Sequence, residues 1–129
     1  MPGGYMQKLL WIGAGGALGA LARYALSGWA QRFGGYDFPW GTVAVNALGC
    51  FLFGVIWSLA EDRLIVNSET RLFVLTGFLG AFTTFSTYLF ETGALLRNTQ
   101  WSSAALNLLG QNSIGLAGVF LGMALGRLL

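Results

Sequence analysis

Charged side chains interrupt this chain only at wide intervals. Three windows contain no Asp, Glu, Lys or Arg: Phe38 to Ala60, Leu72 to Phe90 and Asn98 to Gly126. A helix needs roughly 20 predominantly apolar residues to cross the hydrocarbon core of a bilayer, and each window provides about that length or more. A fourth stretch, Leu9 to Gln31, is broken only by Arg23, whose long stem lets its guanidinium reach an interface or a polar cavity. The pattern predicts four transmembrane helices, at roughly 6–31, 40–60, 71–97 and 102–128, in one all-α membrane domain covering 1–129.

The residues around these windows fit the same reading. Trp40 and Trp57 bracket the second span at heights suited to two membrane interfaces, and Trp11, Trp29 and Trp101 lie near other helix ends. Gly15-xxx-Gly19 in the first span and Gly118, Gly122 and Gly126 in the last are spaced to let a neighbouring backbone approach closely. A polar, glycine-rich link runs from Arg32 to Pro39, the link from Glu61 to Arg71 holds most of the loop charge, and that from Arg97 to Ser102 is short, so neighbouring helices should run antiparallel. Met1-Pro2-Gly3-Gly4-Tyr5 leads into a full-length span without a cleavage site, so no removable signal peptide is expected.

Composition narrows the chemistry. The chain is 55% hydrophobic and 9% charged, has 20 glycines and lacks histidine, which suits a multi-pass protein of the cell membrane and removes the usual metal and triad residues. Four of the five acids, Asp37, Glu61, Asp62 and Glu69, fall in links, which leaves Glu91 as the acid in a span. No phosphate-cradling loop or nucleotide motif is present, so neither an enzyme nor an ATP-driven pump is expected, and no nucleic-acid partner either. Cys50, the single cysteine, reads as a small packing residue. With both termini cytoplasmic, Lys8, Arg63, Arg71 and Arg127 would face Arg32 and Arg97 across the membrane. That bias is weak enough for the chain to insert both ways up, and oppositely oriented copies could then pair.

The densest polar feature is Gly80-Ala81-Phe82-Thr83-Thr84-Phe85-Ser86-Thr87-Tyr88, four hydroxyls and three aromatic rings within an uncharged span. Hydroxyls at that depth normally line protein or a wet pathway. Gly77 and Gly80 ahead of them suggest a helix break near mid-membrane, which would free carbonyls to hold a small cation. The alternative is an unbroken helix whose hydroxyls bond back to their own backbone. Asn46 is a second polar group in a span, and Asn107 and Gln111 share a face of the fourth helix, with Asn112 and Ser113 pointing elsewhere. Donors therefore outnumber fixed negative charges, a balance suited to an anion. Phe82, Phe85 and Tyr88, three apart, would lie on one helical face, where ring edges could add weak positive potential.

Taken in order, Gly16-Ala17-Leu18-Gly19-Ala20 with Arg23, Gly41-Thr42-Val43-Ala44-Val45-Asn46 with Gly49, and Gly77-Phe78-Leu79-Gly80 running into Thr83-Thr84-Phe85-Ser86-Thr87-Tyr88 resemble the signature blocks of the Fluc (CrcB-type) family of fluoride channels. The resemblance covers all four spans. It implies an antiparallel, dual-topology homodimer with two pores that let fluoride leave the cytoplasm passively, relieving its toxicity. On that basis Asn46 is a pore donor, Phe85 and Tyr88 are the paired rings, Ser86 and Thr87 are pore-side hydroxyls, and Arg23 sits at the aqueous vestibule. Gly80 and Thr83 would offer backbone carbonyls to a structural sodium ion at the dimer centre. Two departures stand out: Tyr88 occupies a position that is often Phe, where its phenol keeps the ring edges and adds an O–H donor, and the fourth helix offers Asn107 and Gln111, with Gly115, where the family tends to place hydroxyls. Glu91 follows the motif where related chains also carry an acid.

Two other classes compete with a channel. A small four-helix multidrug or cation exporter would want a carboxylate in the first span, and Leu9 to Gln31 has none. A non-transporting assembly subunit would account for the glycine faces but not for the hydroxyl cluster.

Overall fold

The computed structural model describes residues 4–129; Met1, Pro2 and Gly3, the start of the N-terminal lead, lie outside the described residues. The chain forms four apolar helical spans, Tyr5–Gly34, Trp40–Glu61, Ser68–Arg97 and Trp101–Leu128, each long and apolar enough to cross a membrane. The first, second and fourth are the continuous helices α1 (Tyr5–Gly34), α2 (Trp40–Glu61) and α6 (Trp101–Leu128).

The third span is composite. A short α3 (Ser68–Arg71), capped by the Asn67 side chain, passes into a wider π-helical stretch, Leu72–Leu79, and then a single turn, α4 (Gly80–Phe82). Thr83 (φ −86°, ψ 158°) and Thr84 (φ −147°, ψ 118°) are extended, and helix resumes as α5 (Phe85–Arg97).

The closest seams join non-consecutive helices. A Cβ at Gly15 or Gly19 of α1 would overlap the backbone carbonyls of Phe73 or Phe78 in the third span. At Gly122 of α6 it would overlap the Phe51 carbonyl of α2, and Gly126 sits beside Val55 in the same way. In both seams the residue numbers rise together, so first and third spans are parallel, as are second and fourth. Small residues are what permit such contact in a membrane, where apolar burial gives no advantage over lipid.

Val45, Leu75, Leu79 and Phe82 form the buried core between α1, α2 and the first half of the third span, with Phe78 stacked on Phe82 at 5.7 Å. By contrast, α5 packs chiefly on α6.

Polar side chains tie down the ends. Gln31 donates to the Gly35 carbonyl and to the Phe38 carbonyl (2.8 Å) and accepts from the Gly41 amide (3.0 Å), fixing the link from α1 to α2. At the other end Arg71 pairs with Glu61 and lies 4.7 Å above the Trp57 ring. Asp62 accepts from the Ser58 hydroxyl (2.8 Å) and from Arg127 Nε (3.1 Å). The Ser58 hydrogen bond, supported by Arg127, holds the Asp62 carboxyl below the ordinary carboxylate range.

Candidate functional site

An extended residue inside a helical span turns its amide and carbonyl out of the helical ladder, and in an apolar setting both need partners. Asn46, reaching across from α2, supplies them for Thr84. Its Oδ1 accepts from the Thr84 amide at 2.8 Å, and its Nδ2 donates to the Thr84 carbonyl at 3.1 Å. The Thr84 hydroxyl accepts from the Thr87 amide at 3.2 Å and so caps α5. In a continuous helix the Thr84 and Thr87 amides would bond the carbonyls of Gly80 and Thr83. Here both amides are engaged elsewhere, which releases those two carbonyls.

The second Nδ2 hydrogen of Asn46 starts a chain of amides. It donates to Gln111 Oε1 (2.9 Å); Gln111 Nε2 donates to Asn107 Oδ1 (2.8 Å); Asn107 Nδ2 donates to the Thr92 hydroxyl (2.9 Å), which donates to the Tyr88 carbonyl (2.8 Å). Asn107 is fully buried, and this network satisfies it. Four side chains from three helices thereby fix the position of α5 relative to α2 and α6.

Two cavities share Thr84 as a lining residue. The inner one, about 270 Å³, is lined by Asn46, Thr83, Thr84, Phe85, Tyr88, Gln111 and Asn112, among others. The outer cleft, about 770 Å³, is lined by Arg23, Gln31, Arg32, Thr42, Thr84, Thr87 and Glu91. Glu91 Oε1 accepts from the Thr42 hydroxyl at 2.9 Å, while its Oε2 is buried without a hydrogen-bond partner. Guanidinium groups and hydroxyls stand at the mouth; within, beside the rings, the amide and hydroxyl donors not engaged among the described residues are the Thr84 hydroxyl and one Gln111 N–H.

The sequence-predicted residues are distributed between these spaces. Asn46, Phe85, Tyr88 and Gln111 share the inner cavity, and Arg23 and Thr87 share the outer cleft. Asn107 stands behind Gln111, and exposed Ser86 lines neither space. Thr83 lines the inner cavity, whereas Gly80 opens on a separate cleft beside Trp57 and Arg71.

Three expectations change. Phe82, Phe85 and Tyr88 do not form one stripe. Phe82 is buried in the core at 4% exposure, Phe85 is 72% exposed, and Tyr88 is 5% exposed, because the extended Thr83 and Thr84 break the helical register between them. Phe85 and Tyr88 remain a pair, with ring centroids 5.9 Å apart and planes tilted by 55°. Asn112 does not point away: its Nδ2 donates to the Tyr88 phenol oxygen at 2.8 Å. The phenol hydrogen, expected as an extra donor on the pathway, goes to the Leu108 carbonyl at 3.2 Å.

Thr84, present in the hydroxyl cluster but without a role of its own there, also belongs to the site, as do Thr42 and Thr92. For Thr84 the signal was present, a threonine immediately before a helix start, where a hydroxyl caps. Thr42 gains its role only through Glu91 on another span, and Thr92, which also back-bonds to Tyr88 on its own helix, joins the network through Asn107 of α6.

Comparison with known proteins gives one consistent answer. A model of the family described as CrcB-like protein, Camphor Resistance (CrcB), matches residues 10–123. A protein of Nitrosococcus oceani named fluoride-specific ion channel FluC is 58% identical over 123 residues, covering 95% of this chain and 98% of that protein. Proteins of the same name from Maridesulfovibrio salexigens and Desulforapulum autotrophicum are 52% and 51% identical, over 96% and 95% of this chain. With four apolar spans and matches over nearly its whole length, the chain belongs to the CrcB family of multi-pass membrane proteins.

Proposed function

We propose that this protein is a fluoride channel of the cell membrane, a passive conductor and not an enzyme, which lets cytoplasmic fluoride leave and so protects the cell. The observation that carries the reading is the Asn46–Thr84 pairing beside the Phe85–Tyr88 ring pair, with Thr84 lining both cavities. Fluoride is small and strongly hydrated, so it needs N–H and O–H groups to replace its water. The Thr84, Ser86 and Thr87 hydroxyls and one Gln111 N–H make no donor bond among the described residues, whereas both N–H groups of Asn46 are engaged within the subunit. Asn46 accordingly shapes the path at Thr84, and donors next to it meet the ion. Arg23 and Arg32 at the outer cleft draw anions toward it.

The working unit in this proposal is an antiparallel homodimer in which each pore takes one wall from each copy. Exposed Phe85, Ser86, Leu89 and Phe90 along α5 give that wall. The interruption at Thr83 and Thr84 serves as a mid-membrane break. The Gly80 and Thr83 carbonyls, released because their helical amides bond elsewhere, are the groups that would hold a small hard cation, and a sodium ion held there would supply positive charge joining the two copies.

The test is fluoride efflux from liposomes containing the purified protein, followed with a fluoride electrode in the presence of a potassium ionophore, with chloride efflux run in parallel. Fast fluoride loss with chloride retained is expected. Retention of fluoride by vesicles that contain folded protein would overturn the proposal.

A further inference from the structure

The aromatic residue at the deeper ring position is a tyrosine, and its hydroxyl is fully engaged. The Tyr88 phenol donates to the Leu108 carbonyl at 3.2 Å and accepts from Asn112 Nδ2 at 2.8 Å, while the same Asn112 nitrogen donates to Leu108 at 2.7 Å. Both Asn112 N–H groups are thereby used, and the three groups close a small triangle on one turn of α6. The ring is 5% exposed, yet with Asn112 it lines the inner cavity. Below the ring, the Tyr88 carbonyl accepts from Thr92, so the residue is held at both its backbone and its tip. Phe85, its partner at 5.9 Å, has no polar tip and is 72% exposed.

We infer that Asn112 is a positioning residue for the conduction path: with the Leu108 carbonyl it fixes the Tyr88 ring in one orientation, so that this pathway has one ring held by its polar tip and one with no such hold. A phenylalanine at this position could swing or flip by moving its neighbours alone. Tyr88 must also break hydrogen bonds from its oxygen; each contributes modestly to the folded state, and although Asn112 is itself exposed, Tyr88 is 5% exposed, where a bond left unmade is costly. A fixed ring keeps one electrostatic aspect toward the cavity, and the quadrupole of an aromatic ring makes that aspect matter to an anion. The clamp therefore acts on selectivity and rate through ring orientation. The phenol oxygen itself does not meet the ion.

The inference rests on the channel proposal for its consequence, not for its structural content, so the experiment has two readouts. Tyr5, Tyr24 and Tyr36 are replaced by Phe, leaving Tyr88 as the single tyrosine, and ring-deuterated tyrosine is followed by solid-state NMR in liposomes. The expected result is a ring static on the microsecond scale in this background and a flipping ring in Asn112→Ala. In parallel, Tyr88→Phe and Asn112→Ala, in the otherwise natural chain, should each lower the ratio of fluoride to chloride efflux by about three- to tenfold. The double variant should show no more than the larger single effect, because both remove one clamp. Asn112→Gln, which keeps the amide, should restore part of the ratio.

A Tyr88 ring that flips equally fast with and without Asn112 would overturn the clamp. A ring released by Asn112→Ala with no change in the efflux ratio would overturn its role in conduction. Full additivity in the double variant would do the same. If the parent protein passes no fluoride, the channel proposal fails, and the NMR comparison still decides the clamp.

Discussion

The two halves of the third span are built for different purposes. The half before Thr83 is pressed against α1, with the Phe73 and Phe78 backbone seated on Gly15 and Gly19, and it contributes Leu75, Leu79 and Phe82 to the core. The half after Thr84 packs chiefly on α6 and leaves Phe85, Ser86, Thr87, Leu89 and Phe90 exposed. One half is held by shape and the other by hydrogen bonds through Asn46, Gln111, Asn107 and Thr92. Packing without polar atoms makes a rigid wall, and a polar wall can face an ion only if something else holds it in place. The chain separates the tasks by letting Thr83 and Thr84 leave the helix.

The largest expected effect falls on the shape-held half. In Gly19→Ala the new methyl group would overlap the Phe78 carbonyl, a backbone atom that cannot move aside without shifting the span. Overpacking of this kind costs about 1–3 kcal/mol, and a backbone clash belongs at the upper end. Gly13→Ala is the control, since a Cβ there meets nothing within 4 Å. Thermal unfolding in detergent should separate the two clearly; equal midpoints would mean that the seam is not tight.

Next comes the junction. Asn46→Ala removes both partners of the Thr84 backbone and one partner of Gln111. Each buried polar group left unsatisfied costs about 1–3 kcal/mol. The variant should exchange its Thr84 amide hydrogen much faster and lose fluoride efflux, while α1 and its seam with the Phe73–Phe78 stretch stay protected. Uniform loss of protection across all four spans would show that the halves are not independent.

This division was only partly legible in the sequence. Four spans follow from where charge is missing, because the bilayer imposes a length and tolerates few charges. The glycine repeats pointed to close faces, but not to their partners: Gly15 and Gly19 meet the third span, and Gly122 meets α2, pairings that depend on how the helices assemble. At the site, residue types were readable and directions were not. Spacing by three means a shared face only within an unbroken helix, so the extended Thr83 and Thr84 send Phe82 to the core and Phe85 outward. Asn112 looked idle for a similar reason: its role depends on the height at which α5 meets α6, which neither helix specifies alone.

A smaller effect is expected at Phe85. At 72% exposure its ring adds little to the stability of the subunit, so Phe85→Leu should leave the unfolding midpoint almost unchanged. Ring interactions of about 0.5–1.5 kcal/mol correspond to a few-fold to tenfold loss of fluoride efflux. A large drop in stability with conduction preserved would reverse the assignment of Phe85 from pathway to packing.

The smallest effect tests the hydroxyls of the exposed half. Thr87 lines the outer cleft beside Arg23 and Glu91, whereas its neighbour Ser86 lines neither cavity of the subunit. Losing one hydroxyl donor on the path corresponds to about 1 kcal/mol, roughly a fivefold reduction in efflux. Thr87→Ala should show that reduction, and Ser86→Ala should show one of similar size, because Ser86 lies on the exposed face of α5 that a second copy would close. A change at Ser86 of less than about twofold would confine the path to the subunit's own cavities, away from the exposed face of α5. There only a second copy could close it, so this pair of conservative substitutions reads out how much of the wall the partner supplies.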